Sequence, residues 1–321
     1  MTTTLPAIPD GLRGRLAHLG PDGVRWFEEL PDLTAAAASE WHVELGYGLD
    51  VPTASLVVRG RRRGHPVVLK LCPPQGNFDR ELAVLTAARG RGYVQVLESD
   101  AARRALLLEP LGASFNADGR QERDGGYVVR HLITASLKQA WTVPATALPG
   151  HEPGEHPAER LRADIVARRQ HYDATEGRRA VDRALAYTEH RLADRDPERE
   201  VVVHGNPRPW NLRAVPVPRV GAETGHVFVA PLGLRCEREY DLGAILLESH
   251  AWMLSAEDPV VLARRWCAEL AEASGCDAEV IWQWSYVQRV AQGLALLDGP
   301  DQLLGLSQLH TALTLISRGR G

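Results

Sequence analysis

The sequence predicts an α+β protein of two lobes, β-rich at the N-terminal side and helical at the C-terminal side. Short β-rich runs crowd residues 41–112, and apolar residues recur at three-to-four spacing through residues 113–321. The composition supplies both lobes: 321 residues, 44% hydrophobic and 24% charged, enough apolar material for a sizeable core. The same figures exclude wholesale disorder, a collagen-like repeat and a disulfide-stapled miniprotein.

Residues 1–40 read as an N-terminal extension with helices. From Trp41 onward, VPTASLVVRG, HPVVLKLC, YVQVLES and RALLLEP are short strand-type runs divided by Gly, Pro and charged turns. RRRG at 61–64 reads as a tight hairpin turn between the first two. One helix interrupts them, NFDRELAVLTAARGRG, with Asn77 or Asp79 as its cap and Gly90 near its end. After Gly112 the pattern turns helical in GYVVRHLITASLKQAW, AERLRADIVARRQHY and RRAVDRALAYTEHRLADR. Between the first two of these, TVPATALPGHEPGEHP is rich in Pro and Gly and reads as an exposed loop. Two short strands, REVVVHG and HVFVAPLG, bracket the Pro-rich loop PRPWNLRAVPVPRV. Four helices follow: DLGAILLESHAWML, PVVLARRWCAELAEASG, AEVIWQWSYVQRVAQGLALL and DQLLGLSQLHTALTLIS. The paired Trp282 and Trp284 read as core and as a wall of the substrate lobe, respectively.

Lys plus Arg total 37 against 41 for Asp plus Glu, a formal net charge of −4 that argues against a nucleic-acid partner bound by phosphate neutralisation. No uncharged apolar run approaches the ~20 residues of a membrane helix, so no membrane partner is expected. The start has no apolar stretch behind basic residues, and Cys72, Cys236, Cys267 and Cys276 lack metal-ligand spacing; together these imply a cytoplasmic protein with free thiols. Of the 37 basic residues only Lys70 and Lys138 are lysines, the bias a GC-rich genome produces.

Four local patterns fall in a telling order. Val67-Val68-Leu69-Lys70 ends a strand with a lysine, and Glu81 follows on the next helix. His204-Gly205-Asn206-Pro207-Arg208-Pro209-Trp210-Asn211 follows an apolar strand. Val229-Ala230-Pro231 ends the next strand, and Tyr240-Asp241-Leu242 opens a helix. In these patterns, in LLLEPLG ending at Gly112 and in the helix from Asp277, the sequence resembles the aminoglycoside phosphotransferase family, specifically its streptomycin and hydroxyurea phosphotransferase branch. The resemblance spans roughly residues 40 to 300. It implies a protein-kinase-like two-lobed fold: N-lobe 41–112, and helical C-lobe 113–321 carrying the catalytic loop 204–211.

The resemblance also implies roles. Lys70 pairs with nucleotide phosphates and is held by Glu81. The family's loop reads His-Gly-Asp, then Asn five residues after the Asp; the Asp accepts the substrate proton and the Asn ligates magnesium. The following strand ends in Ile-Asp-Pro, whose Asp holds the metal. Here those two aspartates are Asn206, an amide that cannot act as a base, and Ala230, which has no ligand atom, while Asn211 is kept. No metal site and no cofactor are therefore expected, because ATP and magnesium lack their usual ligands. Gly46-Tyr47-Gly48 is the one candidate for a phosphate-covering glycine loop, and Arg59, Arg61, Arg62 and Arg63 read as a solvated hairpin tip.

The site candidates are thus His204, Asn206, Arg208 and Asp241 for catalysis, and Lys70, Glu81 and Asn211 for cofactor binding. Each has a structural alternative. Lys70 and Glu81 also read as an ion pair ordering the helix, His204 as ordering its loop, and Asp241 as capping its helix and bonding the loop. Trp210 reads as a ligand stack or as packing under the loop, and Cys236 as inert. Three functions stay open. The first is a kinase fold repurposed in bacterial specialised metabolism, for instance closing thioether rings in a ribosomal peptide. The second is a non-catalytic pseudokinase partnering an enzyme of the same pathway. The third is an atypical ATP-dependent phosphotransferase drawing metal ligands from Asp241 or Glu237. All place a small-molecule or peptide substrate in the interlobe cleft.

Overall fold

A five-stranded antiparallel sheet organises the N-terminal part of the protein, seen in a computed structural model that describes residues 8–51, 53–115, 126–172 and 175–317. Its strands are β1 (Val43–Leu49), β2 (Leu56–Arg62), β3 (His65–Leu71), β4 (Val96–Asp100) and β5 (Ala105–Leu108), in the order β1-β2-β3-β5-β4. Arg63 and Gly64, both at positive φ, make the two-residue turn that joins β2 to β3 where RRRG predicts one. Helices α1 (Asp10–Ala17) and α2 (Pro21–Glu40) bury Leu12, Trp26 and Leu30 with Leu56, Val58, Leu69 and Leu71 of the sheet in one apolar cluster. Helix α3 (Phe78–Ala88), with Asn77 at its N-cap position, turns Phe78, Val84 and Leu85 inward.

This first unit comprises Met1–Gly112 and Ala214–Val227. The returning segment is fastened to it by Arg219, which donates to both carboxylate oxygens of Glu109 and to the carbonyls of Gly90 and Tyr93. Glu109 also accepts from the backbone N–H of Gln95 at 2.8 Å. Backbone bonds Gly112 N–H to Ala214 O (2.8 Å) and Gly92 N–H to Gly221 O (2.7 Å) complete the fastening.

The second unit, Ala113–Arg213 with Phe228–Gly321, is mainly helical. It holds α4 (Tyr127–Ala140), α5 (Pro157–Arg168), α6 (Thr175–Ala193), α7 (Glu239–Ile245), α8 (His250–Ser255), α9 (Pro259–Ser274), α10 (Ala278–Leu296) and α11 (Gln302–Ser317). Helix α10 is the hub. Asp277 caps it by accepting from Glu279 and Val280 N–H, and it packs against α5, α6, α7, α9 and α11. Ile281, Trp284, Val287, Val290 and Leu294 recur along it at helical spacing and are all buried. Strand β6 (Val201–Val203) pairs antiparallel with β9 (Leu234–Cys236), and β7 (Leu212–Ala214) pairs with β8 (His226–Phe228). No helix among the described residues is long and apolar enough to cross a membrane.

Four expectations need correction. Strands β1, β7 and β9 stand where no strand is predicted, two of them being only three residues long. The expected helix from Asp241 to Leu254 is broken by a 3-10 turn at Leu246–Ser249 into α7 and α8. The Pro- and Gly-rich stretch 142–157 is an exposed loop only in part: a 3-10 turn forms at Ala145–Ala147, and Val143, Leu148 and His156 are buried. Trp284 is core rather than wall; like Trp282 it is buried, and its indole donates to Glu237 at 2.7 Å.

Candidate functional site

In the first unit, strand alternation sends Leu69 and Leu71 into the apolar cluster and Lys70 to the other face. There the Lys70 ammonium donates to Glu81 Oε1 at 2.6 Å and Oε2 at 2.7 Å, with both side chains buried. Burial alone would pull Lys70 down, but the Glu81 carboxylate and the adjoining Cys72 outweigh it and hold Lys70 above its ordinary range. Two of three N–H groups are thus aimed at one carboxylate, which leaves one for a ligand. Gly46-Tyr47-Gly48 does not form a loop. It lies within β1, where the register with β2 slips between Leu45 and Gly48, so the glycines serve a bulge. At the hairpin tip, Arg62 pairs with Glu98 at 2.9 Å and Arg61 donates to Gly64 O.

In the second unit, the chain leaves β6 into residues 204–211, and Asp241 holds the turn. Its carboxylate accepts from the backbone N–H of His204 and of Gly205, both at 2.8 Å, and from the indole of Trp141 at 2.9 Å. Asp241 lies within the first turn of α7, with Arg238 at the N-cap position, so it bonds the loop but does not cap its helix. Burial pushes its carboxyl up to about 6, opposed by those three donors. Gly205 sits at φ 84, and a Cβ there would come 2.9 Å from the Cβ of Leu232, so only glycine fits the bend.

His204 is fully buried against Phe228. Its Nδ1 accepts from Asn206 N–H at 3.1 Å, and its Nε2 is 3.0 Å from Val229 O, an arrangement that places the ring hydrogen on Nε2. Burial depresses its pKa to about 4, so the ring is neutral and orders the loop. Asn206 accepts from Arg208 Nε at 3.0 Å through its side-chain oxygen. Its backbone carbonyl accepts from Arg208 N–H at 2.8 Å and from the Asn211 amide at 2.9 Å. Arg208 also donates to Glu248 and, at 3.0 Å, to Gln292 Oε1. Burial pulls the guanidinium down to about 10, which leaves it charged at neutral pH. Its Cζ stands 5.8 Å from the Trp210 ring, so that indole packs on the arginine.

Ala230 adopts φ 55, a left-handed conformation that Asn, Asp and Gly accept more readily than Ala. The two acids considered as substitute metal ligands face elsewhere. Asp241 serves the loop N–H groups, and Glu237 accepts from Trp284 and lies 3.4 Å from Arg191. Cys236 is buried, and burial pushes its thiol far up, so it is inert. Taken together, the residues at 206, 211, 230, 237 and 241 do not fit a magnesium ion: two amides and an alanine stand at the loop, and the carboxylates are committed to N–H donors.

The structure therefore brings His204, Asn206, Arg208, Asn211 and Asp241 into one hydrogen-bonded loop, and Lys70 and Glu81 into one ion pair. Sequence reasoning missed Glu248 and Gln292, the far partners of Arg208. For Glu248 the one signal was an acid after the apolar run 244–247, whereas Gln292 follows Gln288 and Arg289 in its helix and nothing local marks it.

The family described as "Aminoglycoside/hydroxyurea antibiotic resistance kinase" matches residues 40–298. The chain is 31% identical over 140 residues to streptomycin 6-kinase from Streptomyces griseus, covering 43% of this chain and 45% of the relative. It is 33% identical over 111 residues to hydroxyurea phosphotransferase from Kitasatospora aureofaciens, covering 34% and 33%. The chain thus spans less than half the length of these curated relatives. Among solved structures, choline kinase LicA from Streptococcus pneumoniae superposes with a TM-score of 0.60 at 14% identity, covering 89% of this chain and 99% of that one. A thermostable mutant of aminoglycoside phosphotransferase APH(4)-Ia, in ternary complex with ADP and hygromycin B, gives 0.55 at 13% identity, covering 89% and 98%. At such identities these likenesses establish the kinase-like fold alone.

Proposed function

This chain belongs to the aminoglycoside/hydroxyurea antibiotic resistance kinase family, and from that premise we propose that it binds a small-molecule or peptide ligand without magnesium-dependent phosphoryl transfer. The observation that carries this reading is the state of the loop. Asn206 holds its side-chain oxygen on Arg208, and Ala230 presents only a methyl group from a backbone bend suited to Asp. A phosphoryl-transfer loop needs a carboxylate base and charge around the metal. Losing both removes several kcal/mol of transition-state stabilisation, orders of magnitude in rate. A ring-closing reaction on a peptide needs a free local base, and the buried, doubly engaged His204 gives that reading no support. Of the readings open at the sequence level, the pseudokinase therefore gains most.

The test is calorimetry and ADP release on the purified chain with ATP, with and without magnesium, in the presence of streptomycin or hydroxyurea. The expected result is no magnesium-dependent ADP release with either compound. Turnover that requires magnesium would promote the atypical phosphotransferase, a reading that the intact Lys70–Glu81 pair favours. Where no such turnover is found, the paired substitution Asn206→Asp with Ala230→Asp should confer magnesium-dependent ATP binding that the unaltered chain lacks.

A further inference from the structure

His151, His156 and Glu200 converge within the second unit, away from the loop just described, with one ligand atom of each inside a 4.8 Å circle. Their side chains are 8%, 4% and 2% exposed. His151 Nε2 and Glu200 Oε2 face each other at 3.4 Å, and neither has a hydrogen-bond partner. Burial lowers the His151 pKa and favours the neutral ring, and with its hydrogen on Nδ1 that ring turns a lone pair on Nε2 toward the carboxylate. In that tautomer a nitrogen lone pair points at a carboxylate oxygen that the Arg235 guanidinium approaches at 3.4 Å without a hydrogen bond, and an electrophile shared by nitrogen and oxygen is what the pair lacks. Ligand atoms ~2.1 Å from a tetrahedral zinc lie about 3.3 Å apart, close to the separation observed.

We propose that His151 Nε2 and the Glu200 carboxylate form a binding site for a borderline divalent transition ion such as Zn2+, with His156 as a conditional third ligand. His156 Nδ1 accepts from Ala158 N–H at 3.2 Å and so caps α5, which leaves the ring hydrogen on Nε2, 3.9 Å from Glu200 Oε1. It ligates when the hydrogen moves to Nδ1 and that cap bond breaks, and water fills the remaining position. Arg195 donates to Glu200 Oε1 at 2.8 Å and stays. Arg235, whose Nη2 is 3.4 Å from Oε2 and whose side chain is one-fifth exposed, is the cation the metal displaces. Since Glu200 directly precedes β6, whose end runs into His204, the ion would tie the 148–156 segment to the strand that presents the loop.

The experiment uses the full chain stripped with chelator, then titrated with Zn2+ alone, with Co2+ as an optical probe and Mg2+ and Ca2+ as hard-ion controls. Expected are one Zn2+ per chain, a raised Tm, tetrahedral Co2+ bands without sulfur charge-transfer absorption, and no response to Mg2+ or Ca2+. His151→Ala should weaken Zn2+ at least tenfold, and Arg235→Gln should tighten it. Three results overturn the site: no retained Zn2+, affinity unchanged in a folded His151→Ala, or sulfur-to-cobalt bands that move the ion to a cysteine. If His151→Ala does not fold, an unaltered chain that gives only weak octahedral Co2+ bands overturns it alone, and leaves a shared proton as the occupant.

Discussion

Lys70 in the first unit and Arg208 in the second are both buried cations, but their surroundings differ in kind. Lys70 meets one carboxylate with two short bonds, whereas Arg208 divides its guanidinium among an amide of Asn206, an amide of Gln292 and the acid of Glu248. The first arrangement concentrates charge on charge and is intolerant of losing either member. The second spreads one charge over two amide oxygens and one carboxylate and fixes the shape of the loop at 204–211. A kinase-like chain thus keeps its geometry in one place by a single ion pair and in another by one cation shared between an acid and two amides.

The largest way to break that contrast is Glu81→Ala, which strands the Lys70 charge and should lower stability by about 3–5 kcal/mol in urea unfolding. The paired change Lys70→Met with Glu81→Leu should recover most of it. If both leave stability alike, the pair does not support the fold. Next comes acid. His204 and His156 are held near pKa 4 in the fold against about 6.5 unfolded, so their stabilising contribution is complete above pH 6.5 and is lost as pH falls through 4. Asp241, raised to about 6, works in the opposite sense, since its carboxyl binds a proton more readily folded than unfolded. The two histidines outweigh it, and stability should drop on the order of 3 kcal/mol between pH 7 and pH 4. A flat profile would contradict the buried neutral rings. Smaller again, Asn206→Asp sets a carboxylate against Arg208 Nε and should add about 1 kcal/mol through a charge-assisted bond. Smallest, Ala230→Gly should relieve the left-handed strain and raise stability by about 0.5 kcal/mol, read as a higher urea midpoint.

Local chemistry made much of this legible in the sequence. Arg61-Arg62-Arg63-Gly64 specifies a tight turn, the apolar spacing after Asp277 specifies a long helix, and both stand where the residues place them. The identity of the loop residues from His204 to Asn211 is also a sequence fact. What escaped depends on distant partners. Strands β7 and β9 are too short to show alternation and exist because β8 and β6 pair with them. The grouping of Gln292 with Arg208 spans 84 residues, and no local pattern encodes it. Pro and Gly in 142–157 signal irregular backbone, which is true, but irregular backbone is not always exposed: His156 turns in to cap α5.

The fastening of Arg219 to Glu109 has a consequence for how the protein is made. Residues 1–112 leave the ribosome well before Ala214–Val227, with 101 residues, 113 to 213, synthesised in between. At ordinary elongation rates that is a delay of about five to twenty seconds. Through that interval the nascent first unit carries Glu109 without its guanidinium and Gly92 without its carbonyl partner. Maturation of the N-terminal unit is therefore timed by a segment encoded far downstream, and a fragment ending at Gly112 would lack the arginine that closes it.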